Sequence, residues 1–236
     1  FLNAHLPKDK LVIVQPPEIW IKWGLVKPGE TWTLDKAVYG LRESPFLWSQ
    51  ERDSRLAELK WTVGNKNYYL KRCSADSQIW FLKDASSGSH ETLGIMVVYV
   101  DDFLLLTHTG KLRDVYLESL SKVWTLAKEE TLTTSHPITF LGIELVLRAN
   151  GDIFLNQRAF IDSLLHKHEC SAMKGTATVT IDKLPVEPEV PTPQQLKQLQ
   201  GFSGEFNWLA TRTRPDMSYF TSILASACSK QYSWSM

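Results

Sequence analysis

The sequence predicts an α+β fold, and three observations support that prediction. Two apolar runs, Leu93–Val100 and Phe103–Leu106, flank a two-residue acidic break, which is typical of a buried hairpin or a tightly bent strand pair. Apolar residues recur at spacings of three and four over residues 112–124, which predicts an amphipathic helix. Residues 174–193 are rich in proline, which predicts an extended connector before a mostly helical C-terminal part.

Composition and charge exclude several classes of protein. The 236 residues are 43% hydrophobic and 22% charged, which excludes wholesale disorder, collagen and a coiled coil. Lys plus Arg (26) equals Asp plus Glu (26), so a nucleic-acid site has to be a local basic track. The apolar runs are far shorter than the ~20 residues of a membrane helix. The three cysteines form no CxxC pair and predict reduced thiols in an intracellular protein.

Short strands and a helix start alternate through the N-terminal part of the chain. Leu11–Val14 predicts a strand that stops at Pro16-Pro17, because proline cannot donate to a ladder. Ser44-Pro45 predicts an N-cap followed by proline at the first helical position. Tyr68–Lys71 and Gln78–Lys83 are short strand candidates.

A hairpin and three helices are predicted in the C-terminal part. Asn150-Gly151 is a strong hairpin signal, and it lies between the predicted strands Thr139–Leu147 and Ile153–Leu155. The three helices are predicted over residues 160–168, from Thr192-Pro193 onward, and after Arg214-Pro215-Asp216.

Asp101 and Asp102 are the residues whose chemistry stands out. Two adjacent carboxylates between apolar runs repel each other. Three arrangements would relieve this repulsion: exposure at a turn tip, a bound cation, or protonation of one acid. Mg²⁺ suits such oxygens and leaves coordination positions for phosphates, as nucleotidyl transfer requires. Successive strand residues point to opposite faces, so a symmetric metal pair would need a third carboxylate from another strand. The simpler alternative is an exposed Asp-Asp turn that caps an ordinary hairpin.

Two other groups of residues are weaker candidates for sites. A zinc site at His166, His168 and Cys170 is disfavoured, because helical residues at i and i+2 lie on different faces. Base stacking and ordinary packing are both open to Trp20, Trp23 and Trp32, and packing in a core or interface is the favoured interpretation.

Six segments, in the same order along the chain, resemble the polymerases of copia-type retrotransposons. The segments are Phe1-Leu2-Asn3-Ala4 with Val14-Gln15-Pro16-Pro17, Lys36–Pro45 with Trp48, Tyr99-Val100-Asp101-Asp102, Phe140–Glu144, Ile153–Gln157, and Thr213–Asp216 with Tyr219. By this resemblance the chain is identified as a member of the copia-type reverse transcriptases, as part of a Gag-Pol polyprotein.

The resemblance implies a fold, an activity and partners. It implies a right-hand polymerase with fingers and palm over residues 1–173, a linker over 174–193 and a small helical thumb piece over 194–236. It implies an RNA-directed DNA polymerase that adds deoxynucleoside triphosphates to a primer on an RNA or DNA template, with two Mg²⁺ ions. Integrase and ribonuclease H of the polyprotein are implied partners, with no membrane. Cytoplasmic retroelement particles, or the nucleus, are the implied location.

Matching positions also carry residue roles. The resemblance implies that Asp101 binds the catalytic metals, Asp102 supports the site, Tyr99 lines the primer end, and the Tyr39-Gly40 backbone lies beside the incoming nucleotide and template. Lys36 and Arg42 have two open interpretations, as phosphate contacts or as solvated surface charges.

Departures from the family pattern raise an alternative. The family's third catalytic Asp lies upstream of Phe1, and Asp9 is interpreted as a surface residue that does not replace it. Glu43 stands where the family has Gln, and Phe46 where it has Arg, so positive charge near the nucleic-acid track is lower. We therefore expect little activity from these 236 residues alone. The alternative is a catalytically inactive, decayed remnant with at most nucleic-acid binding.

Overall fold

A computed structural model of the chain describes residues 4–86, 91–175 and 192–230. The chain forms two compact units, Phe1–Lys128 and Glu129–Met236, and each is described separately below. Both contain helices and antiparallel sheet, so the predicted α+β class is confirmed. Most of the predicted linker falls at residues 176–191, outside the described part of the chain.

The first unit is built around a five-stranded antiparallel sheet in the order β3-β4-β5-β6-β7. A separate pair, β1 and β2, lies near the N-terminus. The elements are β1 (Ile13–Val14), α1 (Glu18–Lys22), β2 (Trp32–Thr33), α2 (Ser44–Glu58), β3 (Lys60–Val63), β4 (Lys66–Arg72), β5 (Ile79–Asp84), β6 (Gly94–Tyr99), β7 (Asp102–Thr107) and α3 (Lys111–Val123). The predicted strands near Leu11, Tyr68 and Gln78 and the predicted helix over 112–124 are thereby confirmed, within a few residues.

One face of the sheet buries the core against α2 and α3. Trp80 and Leu82 of β5 are 2% and 1% exposed, and Phe81 between them is only half-buried, as alternation along a strand requires. Tyr116 of α3 is fully buried, and its ring lies 4.8 Å from that of Trp61 on β3. Burial raises the pKa of Tyr116 strongly, so this phenol stays protonated in the core.

The start of α2 differs from the prediction. The N-cap position is Glu43, which makes no side-chain cap, and Ser44 is the first helical residue. Ser44 Oγ instead donates a hydrogen bond to the carbonyl of Val38 at 2.7 Å. The prediction of Ser44 as an N-cap was therefore wrong, because a tertiary partner for the hydroxyl replaces the local one. Pro45 lies in the first turn, where its missing N–H is tolerated.

The turn between β6 and β7 also differs by one residue from the prediction. Tyr99 pairs with Asp102, so the two turn residues are Val100 and Asp101, and Asp102 begins β7. The expected break at Asp101-Asp102 was therefore wrong by one position. The physical reason is the backbone of Val100, whose φ of 50° is incompatible with an extended strand.

The second unit combines a three-stranded antiparallel sheet, in the order β8-β9-β10, with three α-helices among its described residues. Its elements are β8 (Ile138–Phe140), β9 (Ile143–Leu147), β10 (Ile153–Asn156), α4 (Arg158–Lys167), α5 (Pro193–Arg212), a 3-10 helix (Pro215–Met217) and α6 (Ser218–Lys230). The three predicted helices and the hairpin around Asn150-Gly151 are confirmed. Thr192 caps α5 reciprocally with Gln195, the capping-box pattern.

The predicted strand Thr139–Leu147 is in fact two strands. Leu141 and Gly142, with φ values of 53° and 74°, form a turn that reverses the chain between β8 and β9. Positive φ at both central residues matches a type I′ hairpin turn. The sequence did not indicate this turn, because the apolar residues on either side continue a strand-like pattern.

In the parts of the chain that the structure describes, no helix is both long and apolar enough to cross a bilayer.

Candidate active site

Asp101 and Asp102 lie at the tip of the β6–β7 hairpin. Both side chains are exposed, and Asp102 pairs across the hairpin with Tyr99, which is 45% exposed. Directly opposite residues share one face of a sheet, so Tyr99 and Asp102 lie on the face that continues through the pair Val97 and Leu104. That face is the one turned away from the buried core. An aromatic ring and an acid thus stand side by side at the end of an accessible sheet surface.

Helix α2 lies beneath this turn and holds its backbone. The carbonyl of Val100 accepts hydrogen bonds from Trp48 Nε1 at 2.9 Å and from Arg52 Nη1 at 3.2 Å. Trp48 and Arg52 are only 6% and 5% exposed. One helical turn earlier, Ser44 binds the carbonyl of Val38. Residues four apart lie on one helix face about 6 Å apart along the axis, so one stripe of α2 carries both backbone segments.

A buried ionic cluster continues from Arg52. Arg52 Nε and Nη2 both donate to Asp53 Oδ1, at 3.0 and 2.8 Å. Asp53 Oδ2 lies 2.8 Å from Arg72 Nη2 on β4. Every charge in this cluster has an opposite partner, which buried ions require. The turn of Val100 and Asp101, which is followed by Asp102 and is named the aspartate turn, is therefore linked through α2 to strand β4.

The other residues that the resemblance singled out lie on the surface near the start of α2. Gly40 has a φ of 94°, a conformation that L side chains rarely adopt, and the space where a Cβ would stand is open. Tyr39 is 71% exposed, and Lys36 and Arg42 are also exposed. These residues are connected to the aspartates through α2, which binds the Val38 carbonyl at its start and the Val100 carbonyl further along. Exposure of both cations agrees with either of their two interpretations.

The residues at the turn fit a magnesium ion incompletely. Among the described residues, no three His, Cys, Asp or Glu side chains converge as a metal site. Asp101 and Asp102 nevertheless supply accessible carboxylate oxygens, and Mg²⁺ is usually held by one or two carboxylates with waters and substrate phosphates. The donor set therefore fits a cation that takes its remaining ligands from outside these residues.

The weaker candidate residues have other partners. His168 Nε2 lies 2.8 Å from Glu205 Oε2, and Cys170 Sγ donates to the His168 carbonyl. The rings of Trp20 and Trp32 lie 5.4 Å apart, and Trp23 is 66% exposed. Trp20 and Trp32 thus pack on each other at the surface, while Trp23 lies outside the core of this unit and its packing in an interface stays a prediction.

Two of the family-like segments meet in the second unit as structural contacts. Gln157, which ends the Ile153–Gln157 segment, is 1% exposed and accepts a hydrogen bond from Thr213 Oγ1 at 2.9 Å. Arg214 and Asp216 form an ion pair at 2.7 Å. The Gln157–Thr213 hydrogen bond joins the start of α4 to the end of α5, and the Arg214–Asp216 pair is a local contact just after α5, so structural contacts account for these residues.

Sequence reasoning missed Arg52, Asp53 and Arg72. The available signal was a charged residue within an apolar stripe, because Arg52 lies between the buried residues Trp48 and Leu56 at helical spacing. A charge at such a position has to be paired or bonded. Asp53 is the next residue along the chain, but the Val100 carbonyl lies 48 residues from Arg52 and Arg72 lies on another element, so the pattern alone could not name all of the partners.

Comparison with known protein families shows to which family the chain belongs. A family model described as reverse transcriptase (RNA-dependent DNA polymerase) matches residues 1–182. The chain belongs to the reverse transcriptases. Relatives among curated proteins confirm the predicted copia-type, Gag-Pol character of this reverse transcriptase.

Three relatives are similar over 95% of this reverse transcriptase chain. A transposon Ty5-1 protein of Saccharomyces cerevisiae is 26% identical over 231 residues, and the chain spans 66% of its length. The retrovirus-related Pol polyproteins from transposons RE2 and RE1 of Arabidopsis thaliana are 30% and 28% identical, and the chain spans 14% of each. No solved structure matches the chain.

Proposed function

We propose that this chain is the RNA-directed DNA polymerase domain of a copia-type retrotransposon, and that Asp101 and Asp102 are its catalytic carboxylates. The observation that carries the proposal is the placement of both acids at an exposed hairpin tip whose backbone is fixed by buried donors from α2. An ordinary surface turn has no need of such support.

The reaction transfers a nucleotide to the 3′ end of a primer. The 3′ oxygen attacks the α-phosphorus of a deoxynucleoside triphosphate, the bond from that phosphorus to the oxygen bridging it to the β-phosphate breaks, pyrophosphate leaves with the electron pair, and the 3′ hydroxyl proton passes to water. Mg²⁺, when bound, neutralises charge on the phosphate oxygens and on the attacking oxygen. In this proposal Asp101 ligates the metal, Asp102 supports it, and Tyr99 contacts the primer end. Tyr39-Gly40 lines the nucleotide and template, while Lys36 and Arg42 contact phosphates.

The edge of β7 supports the proposal of a third carboxylate beside the pair. β7 is the last strand in the sheet, and within the described residues nothing pairs with its outer edge. A further strand added there would run next to Asp102. We propose that the family's third catalytic Asp, expected upstream of Phe1, is supplied on such a strand, and that the 236 residues alone have little or no polymerase activity.

Primer extension with Mg²⁺ tests the proposal. The chain is lengthened upstream of Phe1, and its Asp101→Asn variant is compared with Asp9→Asn, an exposed turn residue of the same unit. We expect Asp101→Asn to lower nucleotide incorporation by about a thousandfold or more, since it removes a carboxylate that would hold the metal whose charge stabilises the transition state. Asp9→Asn should leave incorporation unchanged. Equal activity in all three chains would remove the assigned role of Asp101.

The alternative is a non-catalytic remnant that binds nucleic acid at most. Phe46, 61% exposed, stands where the family has Arg, which favours weaker phosphate binding. Glu43 gives weaker support to this alternative, because its negative charge is paired with Lys10. Primer–template binding without extension by the lengthened chain would support this alternative, and nucleotide incorporation would reject it.

A further inference from the structure

We infer that Arg52 is a positioning residue that holds the aspartate turn in the geometry its acids need. This inference rests on the proposed function of Asp101 and Asp102. Arg52 contacts neither acid in the structure. It acts through the carbonyl of Val100, the residue that directly precedes Asp101.

The backbone at Val100 needs outside support. Val100 is β-branched and has a φ of 50°, a combination that local sterics disfavour. Its carbonyl uses both lone pairs on buried donors, Trp48 and Arg52. Releasing these donors would let the peptide between Val100 and Asp101 rotate, which would change the directions of both carboxylates. The two hydrogen bonds therefore select one turn conformation.

The shape of the guanidinium matters as much as its charge. Two of its nitrogens bind Asp53 Oδ1, while the third binds the Val100 carbonyl. A planar fork makes these contacts simultaneously, whereas the single ammonium of lysine cannot reproduce their fixed directions. Arg72 holds the other Asp53 oxygen and so fixes the carboxylate that orients Arg52. Lysine at position 52 should keep the charge and lose the positioning.

Positioning and simple charge make opposite predictions for cation binding. A guanidinium near two acids repels a divalent cation, so removing the charge should tighten cation binding if charge is all that matters. If Arg52 positions the acids, removing it should weaken cation binding despite the lost repulsion. Arg52→Met and Arg52→Lys separate the two effects, because only the second keeps the positive charge.

The experiment uses the 236-residue chain and two readouts. The first is hydrogen exchange of the Trp48 indole N–H, identified in nitrogen-15 NMR spectra by its loss in Trp48→Phe. The buried indole of Trp61, 5% exposed, serves as an internal reference for global opening. The second is Mn²⁺ binding followed by water-proton relaxation, with Asp101→Asn to assign the binding to the turn.

We expect Arg52→Lys and Arg52→Met to speed Trp48 exchange at least tenfold relative to Trp61, and to weaken Mn²⁺ binding at least threefold. Arg55→Lys is the matched control, because Arg55 lies on the same helix, is exposed and binds only Glu51 among the described ion pairs. It should change neither readout. If Arg52→Met fails to fold, Arg52→Lys decides alone.

An unchanged Trp48-to-Trp61 exchange ratio in Arg52→Lys would overturn the inference, and so would wild-type Mn²⁺ binding in that variant. Tighter Mn²⁺ binding in Arg52→Met with wild-type binding in Arg52→Lys would assign Arg52 a purely electrostatic effect and overturn it as well. Mn²⁺ binding that is unaffected by Asp101→Asn would count against the proposed metal site, and absence of Mn²⁺ binding from the wild type would show that the two acids need the third carboxylate. In either case the exchange ratio alone would decide whether Arg52 holds the turn.

Discussion

The β6–β7 and β8–β9 hairpins, one in each unit, solve the same backbone problem by different means. Each turns in two residues, and each places a branched apolar residue at positive φ, Val100 at 50° and Leu141 at 53°. In β8–β9 the next residue is Gly142, which adopts its φ of 74° without strain. In β6–β7 the next residue is Asp101.

The difference lies in what stabilises the turn. Gly142 makes the β8–β9 turn a local preference of the sequence. The β6–β7 turn has Asp101 where the β8–β9 turn has glycine, and helix α2, far away in the sequence, supplies two buried hydrogen bonds to it. The turn that carries the proposed catalytic acids is thus held by tertiary contacts, whereas the β8–β9 turn is held by the conformational preference of its own residues.

Removing the anion that holds Arg52 should have the largest effect on stability. Asp53→Ala leaves the buried Arg52 without its carboxylate and also removes the ion pair of the half-exposed Arg72. Breaking such a pair typically costs about 3–5 kcal/mol, so we expect the free energy of unfolding to fall by about 3 kcal/mol or more in urea denaturation. Glu51→Ala, which breaks an exposed pair on the same helix, should cost less than about 1 kcal/mol. Equal effects would show that the cluster does not support the turn.

The β8–β9 turn should be sensitive at its glycine. Gly142→Ala forces a side chain into the left-handed region, and we expect the free energy of unfolding to fall by about 1–2 kcal/mol. Space is not the cause, because the new Cβ would lie 3.5 Å from Trp208, an ordinary contact. Gly204→Ala within α5 is the control and should stabilise by about 0.5–1 kcal/mol. Thermal denaturation of both variants checks the sign.

The contact of Glu205 with Lys167 and His168 in the second unit should have a smaller effect on the free energy of unfolding, and that effect should not depend on the β8–β9 turn. Burial raises the pKa of Glu205, but hydrogen bonds from Lys167 and His168 outweigh it and hold that pKa below its usual 4.5. The stabilisation is therefore present above pH 4.5 and is lost as pH falls through the lower folded value. Glu205→Gln should cost about 1 kcal/mol at about pH 6 and nothing once the pH is below the folded pKa. Urea denaturation at several pH values measures this, and a pH-independent difference would contradict it.

Relief of strain at the aspartate turn should have the smallest effect. Val100→Gly removes left-handed strain of about 1 kcal/mol. Glycine also increases the freedom of the unfolded chain by a similar amount, so the free energy of unfolding should change by less than about 0.5 kcal/mol. Leu141→Gly is the matched variant and should behave in the same way. A loss above about 1 kcal/mol in Val100→Gly alone would show that the valine side chain has a packing role.

Local signals in the sequence predicted the elements well and tertiary contacts poorly. Alternation predicted β4 and β5, and Thr192-Pro193 predicted the start of α5, because those features depend on neighbouring residues. Ser44 was misinterpreted because its hydroxyl binds Val38 rather than its own helix. The Leu141-Gly142 turn was missed because the apolar residues around it continue a strand-like pattern.

In the candidate site too, residues marked by a local pattern were predicted, and residues that depend on tertiary contacts were missed. Asp101 and Asp102 were visible as adjacent acids between apolar runs, and their resemblance to a family gave them a role. Arg52 and Arg72 were not visible, because their importance depends on Asp53 and on a carbonyl 48 residues from Arg52. A cation on an apolar helix stripe is the pattern that would have indicated the first of them.

The edge of β7, which no strand pairs with among the residues that the structure describes, has a consequence for the solution behaviour of the isolated polypeptide. Unpaired backbone groups along an edge strand attract strands from other molecules, and Leu106 beside them is 45% exposed. Concentrated samples should therefore aggregate by edge-to-edge association of copies. A gatekeeper substitution, Leu106→Lys, would place a charge on that border and should raise solubility while leaving the buried side of the hairpin intact.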